Sequence, residues 1–161
     1  MTKVGGRCTV NCATIRGVRA EHVEVEVAVS SGLPGFHIVG MTDVAIQESR
    51  VRVKAAIRSS GFSMPNELVV VNLAPSALRK SGTGFDLAIA VGILIVTGQV
   101  PPDIAKGKML VGELSLEGAV RPVDGLLAYS LAARDLGLDL VCAAYGSEIV
   151  EIDGVRQVGV G

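Results

Sequence analysis

The stretch HVEVEVAVS, residues 22–30, decides the fold class. Valines occupy every second position from Val23 to Val29, and the positions between them include Glu24 and Glu26. Successive side chains of a β-strand point to opposite faces of the sheet. The alternation therefore predicts a half-buried strand of an antiparallel pair, with the valines facing the core.

The segments on either side of this strand extend the prediction. Residues 8–15 also have the composition of a strand, and Arg16-Gly17 between the two strands predicts the turn of a hairpin. On the other side, residues 32–35 (GLPG) predict a loop, because glycine and proline favour turns. A short strand is expected at residues 36–39.

Three helices are predicted further along the chain. Thr42 or Asp43 can cap the first helix, which places Ile46, Val53 and Ile57 on one side, and Gly61 can end it. The second helix, residues 86–97, is apolar on nearly every face, which predicts a central position in the core. Pro122 and Asp124 precede the third, and Gly137 follows it as a C-terminal glycine. The predicted helices cover residues 43–60, 86–97 and 125–136.

Four further strands are expected between and after these helices, at residues 67–73, 109–116, 138–143 and 155–160. A hairpin followed by strands alternating with crossover helices predicts an α/β (α+β) two-layer sandwich with a mixed sheet. A length of 161 residues is expected to form a single domain.

Composition excludes several classes of protein. Hydrophobic residues make up 49% of the chain, which excludes a disordered tail. The net charge of −1 argues against a dedicated, strongly basic DNA-binding module.

The longest apolar run, residues 87–96, is far shorter than the ~20 residues of a membrane span. No secretory signal is visible at residues 1–7, and three cysteines without framework spacing favour a reduced, cytoplasmic setting.

Metal and nucleotide sites are not expected in this chain. Cys8 and Cys12 lie four strand steps of about 3.3 Å apart, roughly 13 Å, which is too far to share one zinc ion. The loop at residues 80–84 (KSGTG) opens into a helix, but a Walker A loop needs its lysine after the glycines. This loop is therefore either a tight strand-to-helix connection or a contact for an anion or phosphodiester.

Three hydroxyl side chains are candidates for a nucleophile, namely Ser76, Ser81 and Thr83. Ser76 and Lys80 are four residues apart and Ser81 neighbours Lys80, but no oxyanion donor accompanies them. Residue types alone thus give only weak support to hydrolysis.

A basic stripe runs along the first predicted helix. Arg50, Lys54 and Arg58 recur every four residues and share one face. Arg52 adds a fourth charge, and Glu48 is its i,i+4 partner. The stripe is either a solvated face or a contact for nucleic acid or an acidic partner subunit. Aromatic residues are only 3% of the chain, which disfavours base stacking.

Several motifs together resemble the start of the magnesium-chelatase-like AAA+ ATPases, the family that includes ComM and YifB. The resemblance runs from about Cys8 to beyond Leu138. Met41-Thr42-Asp43 stands where Leu-Pro-Asp is common, and the segment after Cys142 lacks the family's usual turn. The matching motifs are residues 32–40 (GLPGFHIVG), 48–50 (ESR), 72–75 (NLAP), 78–80 (LRK), 82–87 (GTGFDL), 112–118 (GELSLEG) and 121–123 (RPV).

The resemblance implies the fold of the Lon proteolytic domain, which is shared with a ribosomal protein domain. Aligned on the helix starts, the position of Lon's serine falls on Gly84 and that of its lysine on Tyr129. Neither residue can replace a Ser/Lys dyad, so the resemblance implies a protease fold without protease chemistry. No catalytic residue, metal or cofactor is then expected in this chain.

The resemblance also implies what surrounds the domain. Residues 1–161 would form one Lon-protease-like N-terminal domain, and an AAA+ module that binds ATP and Mg²⁺ is expected downstream. The parent would be a ring-forming, hexameric motor that acts on DNA in recombination and natural transformation. Expected partners are the domain's own AAA+ module, neighbouring subunits and DNA, but no membrane.

The expected role is therefore subunit assembly, DNA contact or both. The alternative is a residual peptidase or hydrolase in the Lon-like cleft. The candidate residues for nucleic-acid or anion contact are Arg50, Lys54, Arg58, Arg79 and Lys80.

Overall fold

A computed structural model describes residues 6–143 and the backbone of residues 157–159. Its helices are α1 (Val44–Ser59), α2 (Asp86–Val96), a short 3₁₀ helix (Pro102–Ala105) and α3 (Leu126–Leu136). Its strands are β1 (Arg7–Arg16), β2 (Arg19–Ser30), β3 (Gly35–Val39), β4 (Leu68–Ala74), β5 (Lys108–Leu110), β6 (Glu113–Leu114), β7 (Val120–Arg121), β8 (Asp139–Cys142) and β9 (Gln157–Gly159).

Seven of these strands form one mixed sheet in the order β3-β4-β2-β1-β5-β8-β9. The central pairs β4–β2 and β2–β1 are antiparallel, and the outer pairs β3–β4, β1–β5, β5–β8 and β8–β9 are parallel. Strands β6 and β7 form a separate antiparallel pair. The predicted α/β fold with a mixed sheet is confirmed.

The hairpin of β1 and β2 forms the centre of the sheet. Its register pairs Cys8 with Val27 and closes with Arg16 opposite Arg19. Gly17 in the turn has a φ of 61°, a conformation that glycine adopts without steric cost. The valines of β2 are buried, whereas Glu24 and Glu26 are exposed, so the predicted alternation is confirmed.

Helix α2 is the central helix, as its sequence predicts. It contacts β1, β2 and α1, and most of its side chains are buried. A Cβ added at Gly92 would lie only 2.6 Å from Cγ2 of Val27, so this glycine allows the helix to approach the sheet closely. Across the part of the chain that the structure describes, no helix is long and apolar enough to cross a membrane.

Helix α1 begins and ends as the sequence predicts. Of the two candidate caps, Asp43 is the one used, and its carboxylate accepts a bond of 2.8 Å from the N–H of Ile46. At the other end, Gly61 has a φ of 85°, and the N–H of Phe62 donates to the carbonyl of Ile57 over 3.1 Å. This is the Schellman arrangement that commonly ends a helix.

The second half of the chain departs from the prediction in several places, and strand β7 and the 3₁₀ helix were not predicted. The strand expected at residues 109–116 is split into β5 and β6 because Gly112 turns away and donates its N–H to the carbonyl of Gly84 over 3.0 Å. Helix α3 begins at Leu126, since Gly125 has a left-handed φ of 101°. The strand expected at residues 155–160 is present as β9, and its other residues lie outside the described part.

Candidate functional site

The structure brings Gly84 and Tyr129 together, although they are far apart in the sequence. Gly84 lies two residues before the start of α2, and Tyr129 lies in the first turn of α3. A Cβ at Gly84 would lie 3.3 Å from the hydroxyl of Tyr129. The two positions that the resemblance to Lon assigns to its serine and lysine therefore lie side by side in the fold.

The space beside Gly84 is filled by protein atoms. The same Cβ would lie 3.4 Å from Cγ1 of Val111, and the side chain of Tyr129 is only 6% exposed. The cavity bounded by Tyr129, Val111 and Val123 has a volume of about 10 Å³. A volume of about 10–15 Å³ holds a single water molecule, so this cavity is too small for a peptide side chain.

The thiol beside this position is not activated. The Sγ of Cys12 lies 3.6 Å from the carbonyl oxygen of Gly84 and donates to it. Burial raises the pKa of Cys12 to about 12. Burial also raises the pKa of Cys8 to about 11. Both side chains are therefore neutral thiols at neutral pH, and the thiolate is the nucleophilic form.

A buried carboxylate, not predicted from the sequence, lies at the start of α2. The Asp86 side chain is fully buried and accepts two bonds from Arg52, from Nε at 2.6 Å and from Nη2 at 3.2 Å. The hydroxyl of Ser49 donates to it over 2.5 Å, and the N–H of Leu114 over 3.0 Å. This cluster joins α1, α2 and β6, and both carboxylate oxygens of Asp86 accept hydrogen bonds from the protein.

Arg52 therefore does not belong to the exposed basic stripe. Its side chain is 17% exposed, and its ion pair with Glu48 spans 3.8 Å, whereas its bond to Asp86 spans 2.6 Å. Burial raises the pKa of Asp86, and the bonds from Arg52, Ser49 and Leu114 oppose that shift. An acidic residue opening an otherwise apolar helix was the sequence signal for this cluster.

Lys80 departs from the expectation of a contact residue because its side chain is fully buried. Its Nζ donates to the carbonyl of Gly40 over 2.6 Å and also to the carbonyl of Pro75. Burial lowers the pKa of this ammonium group. Lys80 thus holds two loops together from the inside and presents no charge to a ligand.

The loop that follows Lys80 is tied to the protein through its N–H groups. Ser81 donates to Oγ1 of Thr14 over 3.2 Å, and Gly82 donates to the Asp43 carboxylate over 3.0 Å. These donors are thus engaged by the protein's own oxygens, which favours the tight strand-to-helix connection over the anion contact.

Lys80, which the sequence places near the candidate nucleophiles, is not positioned to activate them. Ser76 and Ser81 are exposed, and Thr83 is half-buried. The nearby Lys80 directs its ammonium group to carbonyl oxygens, so it is not placed as a base for either serine.

The exposed cations lie on the outer side of α1. Arg50, Lys54 and Arg58 are all exposed and line an open groove of about 740 Å³. Two apolar side chains share the groove and are also exposed, Val44 at 74% and Val51 at 67%. The predicted stripe is therefore a mixed cationic and apolar surface, which we call the α1 groove; its lining is Phe36, Val44, Gln47, Glu48, Arg50, Val51, Lys54, Ala55 and Arg58.

Arg79 lies elsewhere. It is exposed and lines a separate hollow of about 340 Å³ with Arg16 and Ile15 from the hairpin. Within the described residues, no group of histidine, cysteine or acidic side chains could hold a metal ion.

Comparison with known protein sequences identifies relatives of this domain. Residues 25–145 match the family described as subunit ChlI of Mg-chelatase. An uncharacterized protein of Mycobacterium tuberculosis is 40% identical over 152 residues, which are 90% of this chain and 30% of that protein. The competence protein ComM of Haemophilus influenzae and the protein YifB of Escherichia coli are each 39% identical over 127 residues, 79% of this chain and 25% of theirs.

A weaker similarity reaches the Lon proteases. The Lon protease of Trichlorobacter lovleyi is 29% identical over 140 residues, 82% of this chain and 17% of that protein. The expected resemblance to both groups is thus confirmed. The chain spans less than a third of the length of all these relatives.

Proposed function

This chain belongs to the family of the Mg-chelatase subunit ChlI, and from that premise we propose that it is a non-catalytic N-terminal domain of a ComM- or YifB-type AAA+ ATPase. In the whole protein, a separate module would bind ATP and Mg²⁺ and form a hexameric ring that drives DNA processing in recombination. This domain would support assembly by contacting neighbouring subunits through the α1 groove.

The observation that carries the proposal is the pairing of Gly84 with Tyr129. The positions that the resemblance assigns to the Lon serine and lysine lie side by side, and they hold Gly84 and Tyr129. Glycine has no hydroxyl and tyrosine has no amine, so this pair would not perform the Ser/Lys mechanism. Because protein atoms fill the space beside Gly84, we expect the domain to act through its surfaces.

The composition of the α1 groove favours a protein partner. Val44 and Val51 are exposed apolar side chains close to cations, a combination of an apolar centre with a polar rim that protein interfaces use. Binding to a phosphate backbone would use the cations and other polar groups, and it would give no role to the exposed side chains of Val44 and Val51.

The experiment compares assembly of the full ring with and without this surface. In a protein that carries the domain and the ATPase module, Val44→Ser/Val51→Ser is expected to shift the population from hexamers to smaller species in light scattering. Leu127→Ser is the matched control, since Leu127 is an exposed apolar residue of α3 at 57% exposure. An unchanged distribution for the α1 variant would contradict the proposed role in assembly.

DNA contact is the second candidate function, and the exposed cations Arg50, Lys54, Arg58 and Arg79 support it. Replacing the three α1 cations by alanine should then reduce the slope of binding affinity against salt concentration. The expected reduction is about 0.9 for each phosphate that the variant no longer neutralises. An unchanged slope for the whole protein would show that the three α1 cations do not contact DNA.

A residual hydrolase is the alternative activity. A serine-reactive phosphonate is expected to leave the chain unlabelled, because Ser76, Ser81 and Thr83 lack a placed base. Labelling that is lost on replacing one of these residues by alanine would support the hydrolase and overturn the proposal.

A further inference from the structure

Strand β3 is an edge strand among the strands that the structure describes, and the peptide groups of two of its five residues face outward. Its only neighbour in the described sheet is the parallel strand β4. The N–H of Gly35 donates to the carbonyl of Glu67, so the peptide groups of Gly35, His37 and Val39 point toward β4. Because the direction alternates along a strand, those of Phe36 and Ile38 point away from the sheet.

One of these outward groups already has a partner, and that bond confirms the direction. The amide Nε2 of Gln47, on α1, donates to the carbonyl of Ile38 over 2.8 Å. The same amide also bonds to Oγ1 of Thr42 over 2.6 Å. Gln47 therefore covers one end of the edge, and the peptide groups of Phe36 lie beyond it.

The α1 groove runs beside this edge. Phe36 of β3 lines one side, and α1 supplies the other through residues three and four apart, such as Val51, Lys54 and Arg58. A second hollow of about 340 Å³ continues past the start of β3 and shares Phe36, Lys54 and Arg58 with the first. A sheet edge flanked by a helix is the site at which an extended peptide adds as a new strand in several protein domains.

We propose that an extended acidic segment of a partner protein binds here as an additional strand on β3. Its backbone pairs with the outward N–H and carbonyl of Phe36, and it displaces the Gln47 amide from the carbonyl of Ile38, a residue that is only 4% exposed in the free protein. Its apolar side chains contact Val44 and Val51, and its carboxylates pair with the exposed cations of α1. This inference rests on the proposed assembly function and names the chemistry of the partner.

Charge selects this occupant. Arg50, Lys54 and Arg58 contribute three positive charges to the groove, and its one acidic side chain, Glu48, lies 3.8 Å from Arg52. A second copy of β3 would bring the same cations of two chains together, and its sequence GFHIV carries no acidic residue. The strand that complements the charge of the groove is therefore an acidic segment of a partner and not a second copy of β3.

The test uses the 161-residue chain and an eight-residue peptide of alternating glutamate and valine with blocked ends. Backbone amide NMR should show shifts in α1 and slower hydrogen exchange at the amides of Phe36 and Ile38. The same peptide with lysine in place of glutamate should not bind. A peptide methylated at alternate backbone nitrogens should bind about tenfold more weakly if strand pairing provides the affinity.

Two variants separate strand addition from general attraction of charge. Arg50→Glu/Lys54→Glu/Arg58→Glu should weaken binding of the glutamate peptide by at least about tenfold. Arg79→Glu is the matched control, since Arg79 is an exposed cation outside the groove. Gln47→Ala should strengthen binding a few-fold, because it frees the Ile38 carbonyl for the added strand; a purely structural role of Gln47 would not produce a gain.

Several outcomes would overturn the inference. The first is that the glutamate peptide does not bind, and the second is that it shifts the α1 signals without slowing exchange at Phe36 and Ile38. The third is that exchange at these two amides slows because the chain self-associates. The fourth is that a DNA duplex shifts the α1 signals and the peptide does not. If the ring requires Val44 and Val51 while the peptide fails, the assembly function stands and only strand addition is wrong. If the peptide binds but the Val44→Ser/Val51→Ser variant still forms the ring, the assembly function is wrong.

Discussion

Replacing Asp86 by asparagine is expected to destabilise the domain more than any surface substitution. The fully buried carboxylate accepts a bidentate pair of bonds from Arg52 and one bond each from Ser49 and Leu114. Asparagine has nearly the same volume, but it is neutral and offers an NH₂ group in place of one oxygen. At least one donor would therefore lose its acceptor, and the guanidinium would lose its countercharge.

The magnitude follows from the burial of the pair. Removing one partner of a buried ion pair costs about 3–5 kcal/mol. Arg52 is 17% exposed, so water can solvate part of its freed charge, which places the loss near the lower end, about 3 kcal/mol. With a urea m-value of about 2 kcal/mol/M, the unfolding midpoint would fall by about 1.5 M.

Urea unfolding of the 161-residue chain, followed by circular dichroism, measures this change. Asp135→Asn is the matched control, because the exposed pair of Arg134 and Asp135 spans 3.8 Å and should contribute under about 0.5 kcal/mol. The double variant Asp86→Asn/Arg52→Gln should lose less than the sum of the single losses. A loss below about 1 kcal/mol for Asp86→Asn would refute the reasoning that this cluster holds α1 to α2.

Three further predictions concern buried positions. Gly92→Ala should lower the free energy of unfolding by about 1–3 kcal/mol, because the new methyl group would collide with the side chain of Val27. In a urea titration, the double variant Gly92→Ala/Val27→Ala should recover part of this loss. The stability of the Lys80→Met variant relative to the wild type should rise as the pH falls from about 11 toward neutrality. Burial lowers the pKa of Lys80 in the folded protein, so protonation of this lysine, which begins below its pKa in the unfolded chain, destabilises only the wild type. A difference in unfolding free energy that does not change with pH would contradict this. Cys12 should resist iodoacetamide at pH 8 until urea unfolds the chain, because burial raises its pKa to about 12; rapid alkylation of the native protein, measured by mass spectrometry, would contradict it.

Local patterns were sufficient for most of the fold. The alternation in β2, the cap at Asp43 and the uniform apolarity of α2 each report a preference that acts over a few residues. They are also consistent with one another. The split at Gly112 was not predictable in this way, because it depends on a bond to Gly84, which is distant in the sequence.

The site shows the same division. The sequence by itself led to the prediction that Gly84 and Tyr129 stand at the Lon-like positions, and the structure adds that these two residues are close together. The sequence also determined that Arg50, Lys54 and Arg58 share a face, since helical periodicity is local. Only the tertiary structure decided that Lys80 and Arg52 turn inward while the α1 groove stays open beside the edge of β3. The reason is that burial and charge pairing depend on residues brought together from distant segments, and no local pattern records those partners.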